Sequence, residues 1–516
     1  MVNRRDVLRS TLGFGALQAA GAASGAPAQG RSGQPNIVMI MADQLAPHLT
    51  GTYGHPVVQT PNLDKLASRG VRFDAAYTPH PLCAPARACL MTGRLSSDIG
   101  VWDNAAPLDC DEPTMAHYLD RAGYDTAIAG KMHFVGPDQH HGFHRRLSHD
   151  IYPAGFDWTK SRDHKRPRTH AGNYVPSGLR VVNQPLRAGE KAPRVLELDE
   201  EAQRTGLEYL RARGNDGAPF FLTVSYNHPH EPFHPLKEFW DLYEGKDIPI
   251  PEEPPDWDQR LSIMDRWLNR HHGSDKINVR DPKGLAELHR AYYAMVSYFD
   301  DRAGKIIDAL EENGLAENTV VIVTGDHGDM LGQRGMVQKR CFYEWSARVP
   351  LLMAFPDGRD AGRSIDTPVS LVDVFPTVLD VAGVERERRL PLDGRSLLGH
   401  LNGEANPDRP VFSEQHSEGV YSTCFMVRQG RYKYVHIHGH EYQLFDLEKD
   451  PGEWNNLAGQ PDFREVEQEL RSLILGRFEP ETLERQLRAS LAGREFIRDA
   501  MGGRKPDWNL TPDPVS

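Results

Sequence analysis

Four short apolar runs constrain the fold of this chain most, because each stops at a cluster of Asp, His or Lys. Asn36–Ala42 ends at Asp43-Gln44, and Asp125–Ala129 ends at Gly130-Lys131-Met132-His133. Phe220–Tyr226 ends at Asn227-His228-Pro229-His230, and Val320–Thr324 ends at Gly325-Asp326-His327-Gly328-Asp329. A short continuous apolar run suits a strand buried on both faces, as in a parallel sheet. Leu351–Phe355 reads as one more strand. Between the runs lie helical stretches: Thr60–Arg69 stopped by Gly70, Pro85–Leu90 directly after Cys83, and Leu285–Asn313 closed by Gly314. Strands alternating with helices predict an α/β fold, with a mixed or parallel sheet covered by helices. In open sheets of this kind ligands bind outside the carboxyl ends of the strands.

Two other regions break the pattern. Trp158–Pro193 is rich in Arg, Lys, His, Gly and Pro, and reads as a long surface excursion that could wall a substrate site. After Gly399, Val411–Glu414, Cys424–Arg428, Tyr432–His438 and Gln443–Asp446 predict a small antiparallel sheet, followed by a helical stretch Phe463–Leu487 and a surface tail, Gly502–Ser516. At the amino end, Arg4-Arg5, a weakly apolar Leu12–Leu17 and Ala26-Pro27-Ala28 have the three regions of an export signal. The paired arginines point to the twin-arginine route, which exports folded proteins to the periplasm or beyond. No apolar run reaches the roughly 18 residues that a membrane span needs. A net charge of -12, from 60 Lys+Arg against 72 Asp+Glu, argues against a nucleic-acid binder. Five cysteines in 516 residues make no disulfide scaffold, and an odd number leaves at least one without an intrachain partner.

The strand-end clusters suggest a cation. Carboxylate and amide oxygens from Asp43, Gln44 and Asp326, with one imidazole from His327, suit a hard divalent ion; Ca²⁺ is the first expectation, with Mg²⁺ and Mn²⁺ open. A lone Asp after a strand is as readily a helix N-cap, so the weight lies in the pairing of two such clusters. Cys83-Ala84-Pro85-Ala86-Arg87 places a cysteine at a helix start, where the dipole stabilises anions, and an arginine one turn along. The competing reading is a buried structural cysteine.

C-x-P-x-R followed by Leu90-Met91-Thr92-Gly93-Arg94 resembles the signature of the type I, formylglycine-dependent sulfatases. N-I-V-x-I-M-A-D-Q, G-K-M-H and G-D-H-G occur in that family's order, from Asn36 to about Pro512. Asp103–Ala106, Gly130–Gly142, Asp150–Pro153 and Gly328–Arg334 are similar to its choline sulfatase branch. The resemblance implies an alkaline-phosphatase-like fold with a smaller C-terminal α+β domain; after the export signal read over 1–28, this gives a catalytic domain over 36–400, a small domain over 408–490 and a tail over 491–516. It implies Asp43, Gln44, Asp326 and His327 as metal ligands, and Cys83 as a nucleophile converted to formylglycine, before folding, by a formylglycine-generating enzyme. Arg87 would hold that nucleophile, and Lys131, His133, His228 and Lys339 would bind sulfate or move protons. His228 is the expected general acid and His133 the expected base. Asn104 matches a sulfate contact. Glu418, with Tyr152 and Trp158, resembles the recognition of a quaternary ammonium. His140, His141, His271 and His272 match no motif position and read as surface residues.

The implied reaction is hydrolysis of a sulfate monoester, choline-O-sulfate or another alkyl or carbohydrate sulfate. A hydrated aldehyde supplies one hydroxyl as nucleophile, and its second hydroxyl later expels sulfate. The alternatives are a phosphonate monoester or phosphodiester hydrolase with the same site, and a non-catalytic exported anion-binding protein. The partners expected are the ester and the maturation enzyme, with no nucleic acid and no membrane span; a homo-oligomer is left open.

Overall fold

The computed structural model describes residues 33–150, 156, 159, 193–214, 217–274, 281–404, 406–502 and 512. The export signal, Tyr152, Trp158, nearly all of the 158–193 excursion and most of the tail lie outside the described residues.

The central sheet is built from β1 (Asn36–Asp43), β2 (Val71–Phe73), β3 (Asp125–Gly130), β4 (Arg145–Arg146), β5 (Phe220–Pro229), β6 (Thr319–Gly325), β7 (Leu351–Ala354) and β8 (Arg363–Ile365). Its eight strands run in the order β8-β2-β7-β6-β1-β5-β3-β4. β1 lies parallel to both β5 and β6, and β3 parallel to β5. β7 is antiparallel to β2 and β6, so the sheet is mixed.

The apolar runs are continuous because both faces are covered. Ile37, Met39 and Met41 enter one core, while Val38, Ile40 and Ala42 enter the other. On the first side pack α2 (Cys83–Thr92), α3 (Met115–Arg121) and α6 (Val374–Val381); on the second pack α1 (Pro61–Arg69), α4 (Arg194–Arg211) and α5 (Pro282–Glu312). A second sheet, antiparallel in the order β9 (Val411–Gln415), β10 (Cys424–Gln429), β11 (Tyr432–Ile437) and β12 (Tyr442–Asp446), adds Phe425, Val427 and Tyr434 to the first core. None of the five cysteines, all among the described residues, forms a disulfide.

Two expectations change. The single helix expected over Phe463–Leu487 is two, α7 (Arg464–Arg477) and α8 (Pro480–Met501). Pro480 cannot continue a helix hydrogen-bond ladder and pushes Glu479 out of the helical region, while buried Phe478 turns extended and stacks on Phe425 at 4.7 Å. His141 and His272 are buried rather than on the surface: His141 packs on Phe134, and His272 Nε2 lies 3.3 Å from Arg340 Nη1. His140 and His271 are half-buried.

Candidate active site at the carboxyl edge of the central sheet

Strand register brings the polar clusters to one level. Ala42 pairs with Gly325, so Asp43 and Asp326 are the next residues on adjacent parallel strands. Gly130 pairs with Ser225, which also pairs with Met41, so Lys131 emerges beside Asp43. Gly130 must be glycine, because its φ is 91° and a Cβ would lie 1.9 Å from the Ser225 carbonyl oxygen.

Asp43, Cys83, Asp326 and His327 each aim one donor atom into a space where all four lie within 4.8 Å of one another. Asp43, Asp326 and His327 have no solvent exposure. His327 Nδ1 donates to the Gly328 carbonyl at 3.0 Å, which leaves the Nε2 lone pair facing Cys83 Sγ at 3.2 Å. Two buried carboxylates and an imidazole fixed in this tautomer fit a divalent cation. Gln44, the fourth expected ligand, donates from its backbone to Asp326 Oδ1 at 3.0 Å. Its side chain bonds to Glu231 at 2.8 Å, Asp329 and Lys339.

Cys83 is the first residue of α2, two residues earlier than the expected start at Pro85, since proline fits the first helical turn. Asn104 Oδ1 accepts the Ala84 N–H at 2.9 Å and so caps this end. Burial would raise the Cys83 thiol, but Lys131, Lys339 and His327, with a bond from His133, hold it well below its ordinary value. Burial and Cys83 would likewise raise Asp43, yet Lys131, His230 and Arg87 bring it down to about 2.

Arg87 rests on the carboxylates beneath the nucleophile. Its Nε donates to Asp326 Oδ2 at 2.8 Å, and its Nη1 donates to Ser225 Oγ at 2.8 Å and to the Lys131 carbonyl at 2.5 Å. Lys131 Nζ meets Asp43 Oδ2. His133 is held by its backbone N–H on Asp150 Oδ2 at 2.8 Å.

His228, near the end of β5, and His230, just past it, take different partners. His228 Nδ1 lies 2.6 Å from Asp199 Oδ2, and its ring packs on Tyr298. His230 is the one that bonds to Cys83, and its Nε2 lies 2.9 Å from Lys339 Nζ. Its Nδ1 donates to the Glu231 carbonyl at 2.7 Å. Burial and Lys339 lower the His230 pKa, but Glu231, Asp43 and Cys83 outweigh them and the net shift is upward. Glu231 and Asp329 were also missed; they tie Gln44, Gln338 and Lys339 into one buried network. His230 and Asp329 sit in the strand-end clusters and Glu231 directly follows one, so their position was readable although their role was not.

Glu418 lies at the site but is committed. Its Oε1 accepts the Asn104 N–H and its Oε2 accepts Arg340 Nη2, both at 2.9 Å. Gln44, His133, Gln338, Arg340 and Glu418 all have φ between 50° and 86°, a region that non-glycine residues rarely adopt and that is enriched at functional sites.

A sulfatase family model matches residues 35–384, and a model for the C-terminal part of N-sulphoglucosamine sulphohydrolase matches 332–478. A choline-sulfatase of Rhizobium meliloti is 39% identical over 507 residues, covering 93% of this chain and 94% of its own. An arylsulfatase of Clostridium perfringens is 30% identical, covering 86% of this chain and 95% of its own. The crystal structure of a phosphonate monoester hydrolase of Agrobacterium radiobacter superposes with a TM-score of 0.65 at 25% identity, covering 89% of this chain and 96% of its own.

Proposed function

From a chain that belongs to the sulfatase family and is a sulfuric ester hydrolase, we propose an exported enzyme that hydrolyses a sulfate monoester at Cys83, converted to formylglycine. The observation that carries this reading is the convergence of Lys131, Lys339, His133, His230 and His327 on Cys83, beside the buried carboxylates Asp43 and Asp326. Cys83 Sγ marks where the attacking oxygen of the converted side chain would stand. A divalent cation, Ca²⁺ first, held by Asp43, Asp326 and His327 with Gln44 alongside, would offset the negative charge of the ester and activate the nucleophile. Lys131, Lys339 and Asn104 would hold the sulfate oxygens. His230, rather than His228, is assigned as the acid that protonates the departing alcohol, because it bonds to Cys83 while His228 is held away on Asp199. His133 keeps the base role, bonded to Cys83.

For the alcohol, the 39% identity to a choline-sulfatase favours choline-O-sulfate, whereas the Arg340–Glu418 pair favours an uncharged alcohol such as a sugar, since the carboxylate's charge is already matched. Phosphonate monoester hydrolysis is the second reading, favoured by the shared architecture with such a hydrolase. The twin-arginine pair at Arg4-Arg5 supports export, testable by cell fractionation of an Arg4→Lys/Arg5→Lys variant. The deciding experiment co-expresses the chain with a formylglycine-generating enzyme, measures the aldehyde at residue 83 by mass spectrometry, and compares turnover of choline-O-sulfate, aryl sulfates, sulfated sugars and phosphonate monoesters. Sulfate release by the aldehyde-bearing protein and none by Cys83→Ala is expected. Equal turnover by Cys83→Ala would sink the mechanism.

A further inference from the structure

The C-terminal helix α8 is 22 residues long, yet few of its side chains are buried. Leu487 and Leu491 are among them, on one stripe, and the next residue on that stripe is Arg494, 5% exposed. Burying an arginine is costly unless its charge is met. Arg494 meets Asp103, which has no solvent exposure, in a two-pronged pair: Nη1 to Oδ1 at 2.6 Å and Nη2 to Oδ2 at 2.9 Å. Such fork-to-fork pairs fix orientation as well as charge. The same Oδ1 accepts the Ala105 N–H at 2.9 Å, and the Asp103 carbonyl accepts the Ala106 N–H at 3.1 Å, so this carboxylate shapes the turn that carries Asn104. Asn104 in turn caps Ala84 N–H, at the end of α2 where Cys83 stands, and hangs from Glu418 by its own N–H.

We propose that Arg494 is a positioning residue: through Asp103 and the Asn104 turn, α8 fixes the start of α2 and hence the placement of the residue 83 nucleophile and of Asn104. The proposal rests on the sulfate ester reading for its assay, and it gives the helix farthest along the chain a role in the reaction rather than in packing alone. Displacing a reacting group by a fraction of an ångström to 1 Å can cost up to a hundredfold in rate.

The test measures kcat, KM, melting temperature and aldehyde content at residue 83 for three variants on an aryl sulfate. Arg494→Met leaves Asp103 buried without a counter-charge and is expected to melt lower. Asp103→Asn/Arg494→Met removes both charges, keeps an acceptor for Ala105 N–H, and is expected to recover melting temperature. Arg494→Lys keeps the charge but not the two-pronged grip. Per aldehyde-bearing molecule, kcat is expected to fall about tenfold in Arg494→Met and in the double variant, and by less in Arg494→Lys, with KM changing less than kcat. A wild-type kcat in any variant that folds and carries the aldehyde, with only the melting temperature lowered, would overturn the proposal. A wild-type enzyme inactive on every sulfate ester would instead reject the functional reading.

Discussion

Arg87→Met would test how the site is held together. The Arg87 guanidinium is wholly buried and donates to Asp326 Oδ2, to Ser225 Oγ and to the Lys131 carbonyl, with Nη2 3.7 Å from Asp43 Oδ2. Methionine matches the stem but supplies no donor. One charge-assisted bond to Asp326 is worth about 1.5–3 kcal/mol, and a stranded buried carbonyl costs about 1–3 kcal/mol. Together these give a loss of about 2.5–6 kcal/mol, which brackets the roughly 3–5 kcal/mol seen when one member of a buried ion pair is removed. The assay is urea unfolding in the presence of a chelator, read from the shift in midpoint at unchanged slope. The same measurement with a saturating divalent cation separates the causes. Bound at a hundred times its Kd, a cation stabilises the folded state by about 2.7 kcal/mol. With Arg87 gone it is the remaining counter-charge for Asp326, so the cation should rescue the variant more than it raises the wild type. A loss below about 1 kcal/mol in chelator would refute the assignment of Arg87 as the support of these carboxylates. An identical cation shift in both proteins would refute the coupling between Arg87 and the ion.

Three further outcomes are expected. His230→Asn should lower kcat on alkyl sulfates by about 10²–10⁴-fold and far less on an aryl sulfate with a good leaving group, and equal losses on both would remove the acid role. Arg334 lies between the rings of Tyr343 and Trp454, at 3.9 and 3.8 Å, and donates to the Gly452 carbonyl at 3.1 Å; Arg334→Leu should cost about 2–4 kcal/mol in urea unfolding, and a neutral result would show that this clamp contributes nothing. Burial lowers His289 to about 4 and, with Arg348 nearby, His48 to about 3. Both folded values lie below that of the unfolded chain, so the unfolded state binds more protons and stability, full above about pH 6.5, falls as pH drops toward 4 and below. His289→Gln should flatten this slope by up to about 3 kcal/mol across that window; an unchanged slope in urea midpoints between pH 7 and 4.5 would rule out that contribution.

What the sequence revealed follows from which features leave a local trace. Asp43, Lys131 and Asp326 were legible because parallel register places residues just past apolar runs on one edge, and the runs are visible in the letters. Cys83 was legible because a helix start is locally encoded. The different partners of His228 and His230 were not, since both lie in one cluster and Asp199, from α4, holds the first. The commitment of Glu418 to Arg340 joins positions 78 apart in the chain and has no local signal. The burial of His141 and His272 comes from tertiary packing alone. The break between α7 and α8 was legible after all, at Pro480.

Every residue of α2 from Cys83 to Thr92 is buried, Cys83 itself at 1% exposure. An enzyme that converts Cys83 therefore has to reach it before β1, β5 and β6 close over the site. Those strands join segments nearly three hundred residues apart, Asn36 with Thr319 among them, and long-range parallel pairing is slow to form. Under the proposed function, maturation would be a race between a modifying enzyme and the closing of the sheet, and slow topology would widen the time available. Changes that hasten closure would leave more chains sealed around an unconverted thiol, so the aldehyde fraction at residue 83 doubles as a clock for folding.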